Sequence, residues 1–221
     1  MVDWNLYLAR YQQTHGGFFF GGGDEQCDSQ LVLSEGETSP LLVCMSTDPA
    51  GRSTVETLRA RTMVMLDHPY TLHIHARGLI GSGVSGVASL VGKAMDFGYP
   101  EATRGRMITT DNKAFTKLTL GDLALRNAIT TRKKDALWIR PGPQANGQHI
   151  VEVFATNFGG TLNDDSSWYN DAMLTDLMYV PDEDKELILQ AGSKYFDAQM
   201  DAFLDFLRAA RDAVTMWPIQ S

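Results

Sequence analysis

Three glycines in the middle of the chain have a spacing that can hold a phosphate group. Gly81, Gly83 and Gly86 follow the pattern G-x-G-x-x-G. In dinucleotide-binding sites, glycines spaced in this way let the backbone turn tightly and bring its amide groups close to a pyrophosphate. One hypothesis is therefore that the chain is a flavin- or nicotinamide-binding oxidoreductase that uses residues 81–86.

The wider sequence around the glycines does not fit such a site. The segment GLIGSGVSGVASL is similar to the fingerprint of Rossmann domains that bind flavin or nicotinamide cofactors, and Glu101 lies 20 positions after Gly81. However, Pro100 cannot donate to a strand ladder, and no alternating strand and helix units follow. We therefore expect no cofactor and a loop or irregular strand edge at the glycines, and we keep the oxidoreductase as an alternative.

Two histidines could bind a metal ion. His73 and His75 lie on the same face of an alternating segment, and this spacing occurs among zinc ligands. A catalytic site needs a third ligand, for which His149 and Glu152 are candidates, although no spacing ties them to the pair. The residues that follow His75 also lack the glutamate that the cupin family places after its H-x-H motif. We expect a polar strand face and no metal, and we keep a metal-dependent hydrolase through His73 and His75 as a second alternative.

The sequence lacks the common motifs of catalytic nucleophiles and phosphate-binding loops. It contains no G-x-S-x-G, P-loop, C-x-x-C or H-E-x-x-H pattern. Cys44 lies within the apolar segment LLVCMS, where a cysteine usually acts as a small buried hydrophobic residue. These observations favour a protein without catalytic activity.

The charge of the chain argues against nucleic acid as its main partner. The net charge is −8, whereas phosphate binding requires a positive field. Residues 93–140 carry ten basic and five acidic side chains, whereas residues 141–221 carry four basic and thirteen acidic ones. We expect these two parts to face each other, and the alternative is a basic patch for an anionic ligand. The basic candidates are Arg104, Arg106, Lys113 and Lys117.

Composition also predicts where the protein resides. The longest uncharged stretch, residues 78–92, has 15 residues, whereas a membrane-spanning helix needs about 20. The segment MVDWNLYLARYQQ lacks the basic and apolar regions of a signal peptide. Cys27 and Cys44 are too few for a disulfide framework. We therefore expect a cytoplasmic protein without a membrane span.

Short apolar segments between turn residues predict a β-rich part from about residue 17 to residue 156. A long strand is expected around residues 52–66, and the alternating segment YTLHIHA is expected to return beside it as a hairpin. Helical pieces should follow a cap at Asp111 or Asn112, and another helix is expected near residues 166–180.

The C-terminal part predicts one long helix that begins after Pro181. Apolar residues recur there at alternating steps of four and three, which is typical of a packed helical seam. Leu204 and Phe206 widen the apolar stripe, as is needed by a helix that covers a sheet. We expect the helix to pack on its own domain, with Phe203 deeply buried, and we keep a homodimer through this helix as a possible assembly. The seam residues are Phe196, Met200, Phe203, Leu207, Ala210, Val214 and Trp217.

Together these patterns predict a single α+β domain over residues 1–221. It should contain a mainly antiparallel sheet, or a barrel with the layout of a pleckstrin-homology domain, with helical segments in the middle of the chain. The β-rich part would span about residues 17–156 and the C-terminal helical part about residues 165–217. The leading functional hypothesis is an intracellular binding or scaffold domain without catalytic activity.

Overall fold

The computed structural model describes residues 4–21, 29–36, 38–50, 53–76, 97–144, 146–156 and 182–216. In these ranges the chain forms one antiparallel sheet and five helices, which confirms the predicted α+β class. The strands are β1 (Phe18–Phe20), β2 (Ser29–Glu35), β3 (Thr38–Ala50), β4 (Ser53–Met65), β5 (Leu72–Ala76), β6 (Arg106–Thr110), β7 (Ala136–Pro141) and β8 (Gln148–Thr156). The helices are α1 (Trp4–His15), α2 (Pro100–Thr103), α3 (Lys113–Thr119), α4 (Leu123–Thr131) and α5 (Asp182–Thr215).

The eight strands form an open sheet in the order β1–β2–β3–β4–β8–β7–β5–β6. Each neighbouring pair is antiparallel, and β1 and β6 are the two edge strands. The described strands therefore do not close on themselves, so the alternative prediction of a closed barrel is wrong for them, and a pleckstrin-homology-like layout is not confirmed. The C-terminal helix α5 lies over β4 and β8 in the middle of the sheet, so it covers a face of the sheet.

The hairpin predicted between β4 and β5 is also wrong. β4 pairs with β3 and β8, whereas β5 pairs with β6 and β7, so two strands separate β4 from β5. The alternating pattern of β5 is sufficient to identify a strand, but its pairing partners lie 30 to 67 residues further along the chain. The two strands that intervene, β7 and β8, form the hairpin that fills the centre of the sheet.

The chain that leaves β4 crosses the ends of β7 and β8 before it enters β5. The backbone amide of Leu66 donates to the carbonyl of Gly147 at 2.8 Å. The backbone amide of Tyr70 donates to Nε2 of His149 at 3.0 Å, and Nδ1 of the same ring lies 3.2 Å from the carbonyl of Gly147. With Nε2 as the acceptor, Nδ1 carries the proton and donates to that carbonyl. The buried His149 therefore fixes the crossing segment in place.

The apolar core lies between one face of the sheet and the helices. Alternate strand residues such as Leu58, Val151 and Leu137 are fully buried, and they belong to the same cluster as apolar residues of α1, α4 and α5. The described part of the wide apolar stripe predicted for the C-terminal helix is buried there as well, which confirms that this helix packs on its own domain. Its buried members are Met200, Phe203, Leu204, Phe206, Leu207, Ala210 and Val214. Trp217 and the side chain of Phe196 lie outside the described part of the chain.

Side-chain caps explain where the helices in the middle of the chain begin and end. The side chain of Asn112 accepts from the amide of Phe115 at 3.0 Å, which confirms one of the two predicted caps of α3. Asp122 caps α4 in the same way. At the other end of α4, the buried guanidinium of Arg106 donates to the carbonyls of Ile129, Arg132 and Asp135 at 2.7–2.8 Å.

The ion pairs of the described residues test only part of the predicted match between the basic middle and the acidic C-terminal part. Acids of α5 contact α1: Asp201 accepts from the hydroxyl of Tyr11 at 2.5 Å, and Asp197 lies 3.4 Å from Arg10. Of the four basic candidates, Arg106 is buried on backbone carbonyls, and the others are exposed and form no ion pair within the described residues. Arg140 of the basic middle pairs with Glu152 of the acidic part, and α4 packs against α5. Eight of the thirteen acids of residues 141–221 lie outside the described side chains, so the prediction that the two parts face each other stays a prediction.

Several predictions concern residues outside the described ranges. The glycine stretch around residues 81–86 and the helix expected near residues 166–180 both lie there, so those two predictions stay predictions. Among the described helices, none is both long enough and apolar enough to cross a membrane.

Candidate functional site

The two faces of the sheet differ in composition. One face contributes the apolar core and is covered by the described helices. The opposite face, which we call the outer face, carries the alternate residues of each strand. We find arginine, histidine and large aromatic side chains concentrated on the outer face of β4, β8, β7 and β5. This concentration makes the outer face of these four strands the candidate site.

Strand register places four of these side chains in a row across the sheet. His73 of β5 lies opposite Trp138 of β7, Trp138 lies opposite Glu152 of β8, and Glu152 lies opposite Arg61 of β4. In the adjoining row, Phe154 of β8 lies opposite Arg59 of β4. With Arg140, which follows Trp138 by two positions on β7, these residues form a surface that we call the platform. Its members are Arg59, Arg61, His73, Trp138, Arg140, Glu152 and Phe154.

Aromatic contacts organise the platform. The His73 and Trp138 rings stack, with 4.7 Å between centroids and 17° between planes. The ring of Phe154 meets Trp138 edge-on at 5.2 Å. The guanidinium carbons of Arg59 and Arg140 each lie 5.8 Å from a ring centroid, that of Phe154 and that of Trp138 respectively. Such contacts are within the range of cation–π attraction, which favours keeping these arginine side chains beside the rings.

Glu152 is the only acid among the strand side chains described on the outer face, and it is only 3% exposed. Its Oε2 lies 3.6 Å from Nη2 of Arg140, and Arg61 is its direct neighbour on β4. A buried carboxylate needs such a partner, because an unpaired charge is costly away from water. With three arginines against one glutamate, the platform keeps positive charge that the described acids on this face do not balance.

Both histidines are held towards their neutral form. Burial is the main cause that lowers the pKa of His73, and the neighbouring His75 and Arg140 lower it further. Burial also lowers the pKa of His75, with a contribution from Arg106. A neutral imidazole stacks on Trp138 without adding a further charge beside Arg140, which suits the observed geometry.

The structure separates most of the residues considered for a metal site. His73 and His75 share the outer face as predicted, but His149 lies on the opposite, helix-covered face, where it binds the backbone of Tyr70. Glu152 shares the outer face with the histidines, yet it is two strands from His73, about 10 Å away, with Trp138 between them. Within the described ranges, no group of three or more His, Cys, Asp or Glu side chains could hold a metal ion.

The lowered pKa of His73 predicts how stability depends on pH. The unfolded chain, in which a histidine titrates near 6.5, binds a proton more readily than the folded one. The stabilisation from neutral His73 is therefore complete above about pH 6.5 and is lost as the pH falls through the folded-state pKa. Urea unfolding at pH 7.5 and pH 5.0 should show a larger loss of stability for the wild type than for His73→Phe, which keeps a stacking ring.

His68→Phe is the matched control, because it removes an exposed histidine outside the platform. An effect of His68→Phe as large as that of His73→Phe would contradict the assignment of the pH dependence to the platform.

Sequence reasoning identified only part of the platform. It singled out His73 and Glu152, but as metal ligands, and it gave no role to Trp138, Phe154, Arg59 or Arg61. The signal that could have found them is alternation: in the segments TLRARTM, ALWIRP and HIVEVFAT, polar or aromatic residues alternate with buried apolar ones.

No protein-family model, no curated protein and no solved structure matches this chain.

Proposed function

We propose that this chain is an intracellular binding domain without catalytic activity, and that the platform is its ligand-binding surface. The observation that carries the proposal is the row His73–Trp138–Glu152–Arg61, which joins stacked aromatic rings to arginines on one face of a rigid sheet. Residues on the middle strands of a sheet keep a fixed spacing, which suits recognition. An intracellular setting agrees with a chain that has only two cysteines.

The ligand that best fits this surface is an acidic segment of a partner protein in extended conformation. Arg59 and Arg61 are two positions apart on β4, so their side chains leave the same face about 6.8 Å apart. Carboxylates two positions apart on an extended peptide have the same spacing. Arginine also suits such a ligand, because its planar guanidinium binds a carboxylate through two parallel hydrogen bonds.

The aromatic part of the platform adds a second requirement for the ligand. Trp138 and Phe154 are partly exposed beside the arginines, so an apolar side chain next to the carboxylates would bury additional surface. A protein segment can supply both kinds of group. Nucleic acid fits less well, because the net charge of −8 opposes the approach of a long polyanion.

The proposal is tested by selecting peptides from a random twelve-residue library displayed on phage. We expect the selected peptides to be enriched in Asp or Glu at alternate positions, next to an apolar residue. Replacing Arg59 and Arg61 together by glutamate should weaken binding of these peptides by at least about tenfold, since two charge-assisted contacts are lost. Isothermal titration calorimetry measures the affinity, and circular dichroism verifies that the variant is folded.

The matched control is the double replacement of Arg104 and Lys113 by glutamate. It makes a similar change in charge at exposed positions outside the platform, and it should leave peptide binding within about twofold. Peptides that bind the wild type and the Arg59 and Arg61 variant equally would contradict the proposal. Platform-dependent binding of a labelled single-stranded oligonucleotide, without selection of acidic peptides, would instead indicate a nucleic-acid ligand.

A further inference from the structure

The edge strand β1 has unusual side chains for an exposed edge. It consists of three phenylalanines, of which Phe18 is 70% exposed and Phe20 is 60% exposed. Both lie on the outer face, in register with Val32 and Gln30 of β2, whereas Phe19 packs against the core. Large aromatic residues are rarely left this exposed in pairs, and clustered exposed apolar side chains commonly mark an interaction site.

The backbone at this edge is available for pairing within the described part of the chain. β1 forms backbone hydrogen bonds with β2 along one of its edges, and no described strand pairs along its other edge. Natural edge strands are commonly protected by charged residues, proline or a bulge, and β1 has none of these over its three positions. Its preceding residue, Gly17, has φ +91° and lies so close to β2 that a Cβ there would meet the carbonyl oxygen of Val32 at 2.1 Å, so only glycine fits at this position.

We propose that β1 pairs with the β1 strand of a second copy of this chain, giving a two-fold symmetric dimer. In an antiparallel pair of β1 strands, each strand contacts the same residues of the other strand, as an isologous interface requires. Because all three residues are phenylalanine, every contact across the pair is between two phenylalanines. Phe18 then lies opposite Phe20 of the second copy, and the two cross-strand aromatic pairs cover each other on the outer face. The sheets of the two copies join into one continuous sheet.

The surrounding charges decide how this dimer responds to salt. β1 itself is uncharged, but each copy carries a net charge of −8 and repels the other at long range. Salt screens this repulsion, so the dimer should strengthen as ionic strength rises. Two three-residue strands and four phenylalanine side chains make a small interface, well below about 1,200 Å², so the dimer is expected to be weak and dissociable.

Sedimentation velocity over a wide range of protein concentrations tests the proposal. We expect a monomer–dimer equilibrium for the wild type that shifts towards dimer at higher salt. Replacing Phe18 and Phe20 together by lysine should leave only monomer, because both side chains are exposed in the monomer and the charges block the edge. Met65→Lys is the matched control, since Met65 is an exposed apolar residue on the same face of β4, and it should keep the dimer.

Cysteine cross-linking tests the register independently of the lysine variant. In a background without Cys27 and Cys44, a mixture of the Phe18→Cys and Phe20→Cys variants should form an intermolecular disulfide, because these positions lie opposite each other. A wild type that stays monomeric at all concentrations, or a dimer that survives the lysine variant, would overturn the proposal. Loss of the dimer in Met216→Lys, and not in the lysine variant of β1, would assign the dimer to the C-terminal helix.

Discussion

Replacing Phe203 by alanine is expected to lower the free energy of unfolding by about 3–5 kcal/mol. Phe203 lies in the middle of α5, exposes none of its surface, and belongs to the core between this helix and the sheet. The guanidinium carbon of Arg132 lies 5.3 Å from its ring centroid, so the substitution also removes a cation–π contact. Urea unfolding monitored by circular dichroism measures the change.

Asp205→Ala, two positions further along the same helix, is the control for this substitution. Asp205 is exposed and pairs with Arg208 at the surface, so its loss should cost no more than about 0.5 kcal/mol. If Phe203→Ala destabilised the protein as little as Asp205→Ala does, α5 would not cover the sheet in solution.

Replacing Arg106 by methionine is expected to cost about 3 kcal/mol. Its guanidinium donates to three backbone carbonyls at and beyond the C-terminal end of α4, those of Ile129, Arg132 and Asp135. Methionine keeps most of the aliphatic stem but leaves these carbonyls without their donor. Burial lowers the pKa of Arg106, partly offset by Asp135, and the charge nevertheless suits the negative end of the helix dipole.

Arg104→Met makes the same chemical change two positions earlier, at an exposed residue, and should be nearly neutral. Arg106→Lys should be intermediate, because an ammonium group keeps the charge but cannot reach all three carbonyls in the geometry of the guanidinium. Equal stabilities of the Arg104→Met and Arg106→Met variants would show that Arg106 does not cap α4.

Local features of the fold were predictable from the sequence. The cap at Asn112 follows from a short polar side chain before a helical segment, and the shared face of His73 and His75 follows from the two-residue period of a strand. The burial of Phe203 follows from the apolar period of the C-terminal helix. Each of these depends only on residues that are close together in the sequence.

Features that depend on distant segments were not predictable in this way. The position of β5 beside β7, and not beside β4, is decided by strands that follow much later in the chain. The platform depends on the same long-range register, since its seven residues come from four strands. Alternation indicates that Trp138 and Arg61 leave one face of their own strands, but it cannot indicate that both strands border β8.

The measurement that tests the central claim most directly is an amide chemical-shift map of the ¹⁵N-labelled protein with a selected acidic peptide. The account predicts that the largest changes occur at Arg59, Arg61, Trp138 and Phe154, together with a shift of the indole N–H of Trp138. Amides of α1 and of the described part of α5, on the covered side of the sheet, should stay nearly unchanged. Changes concentrated on those helices, with none on the outer face of β4, β8 and β7, would contradict the platform as the binding surface.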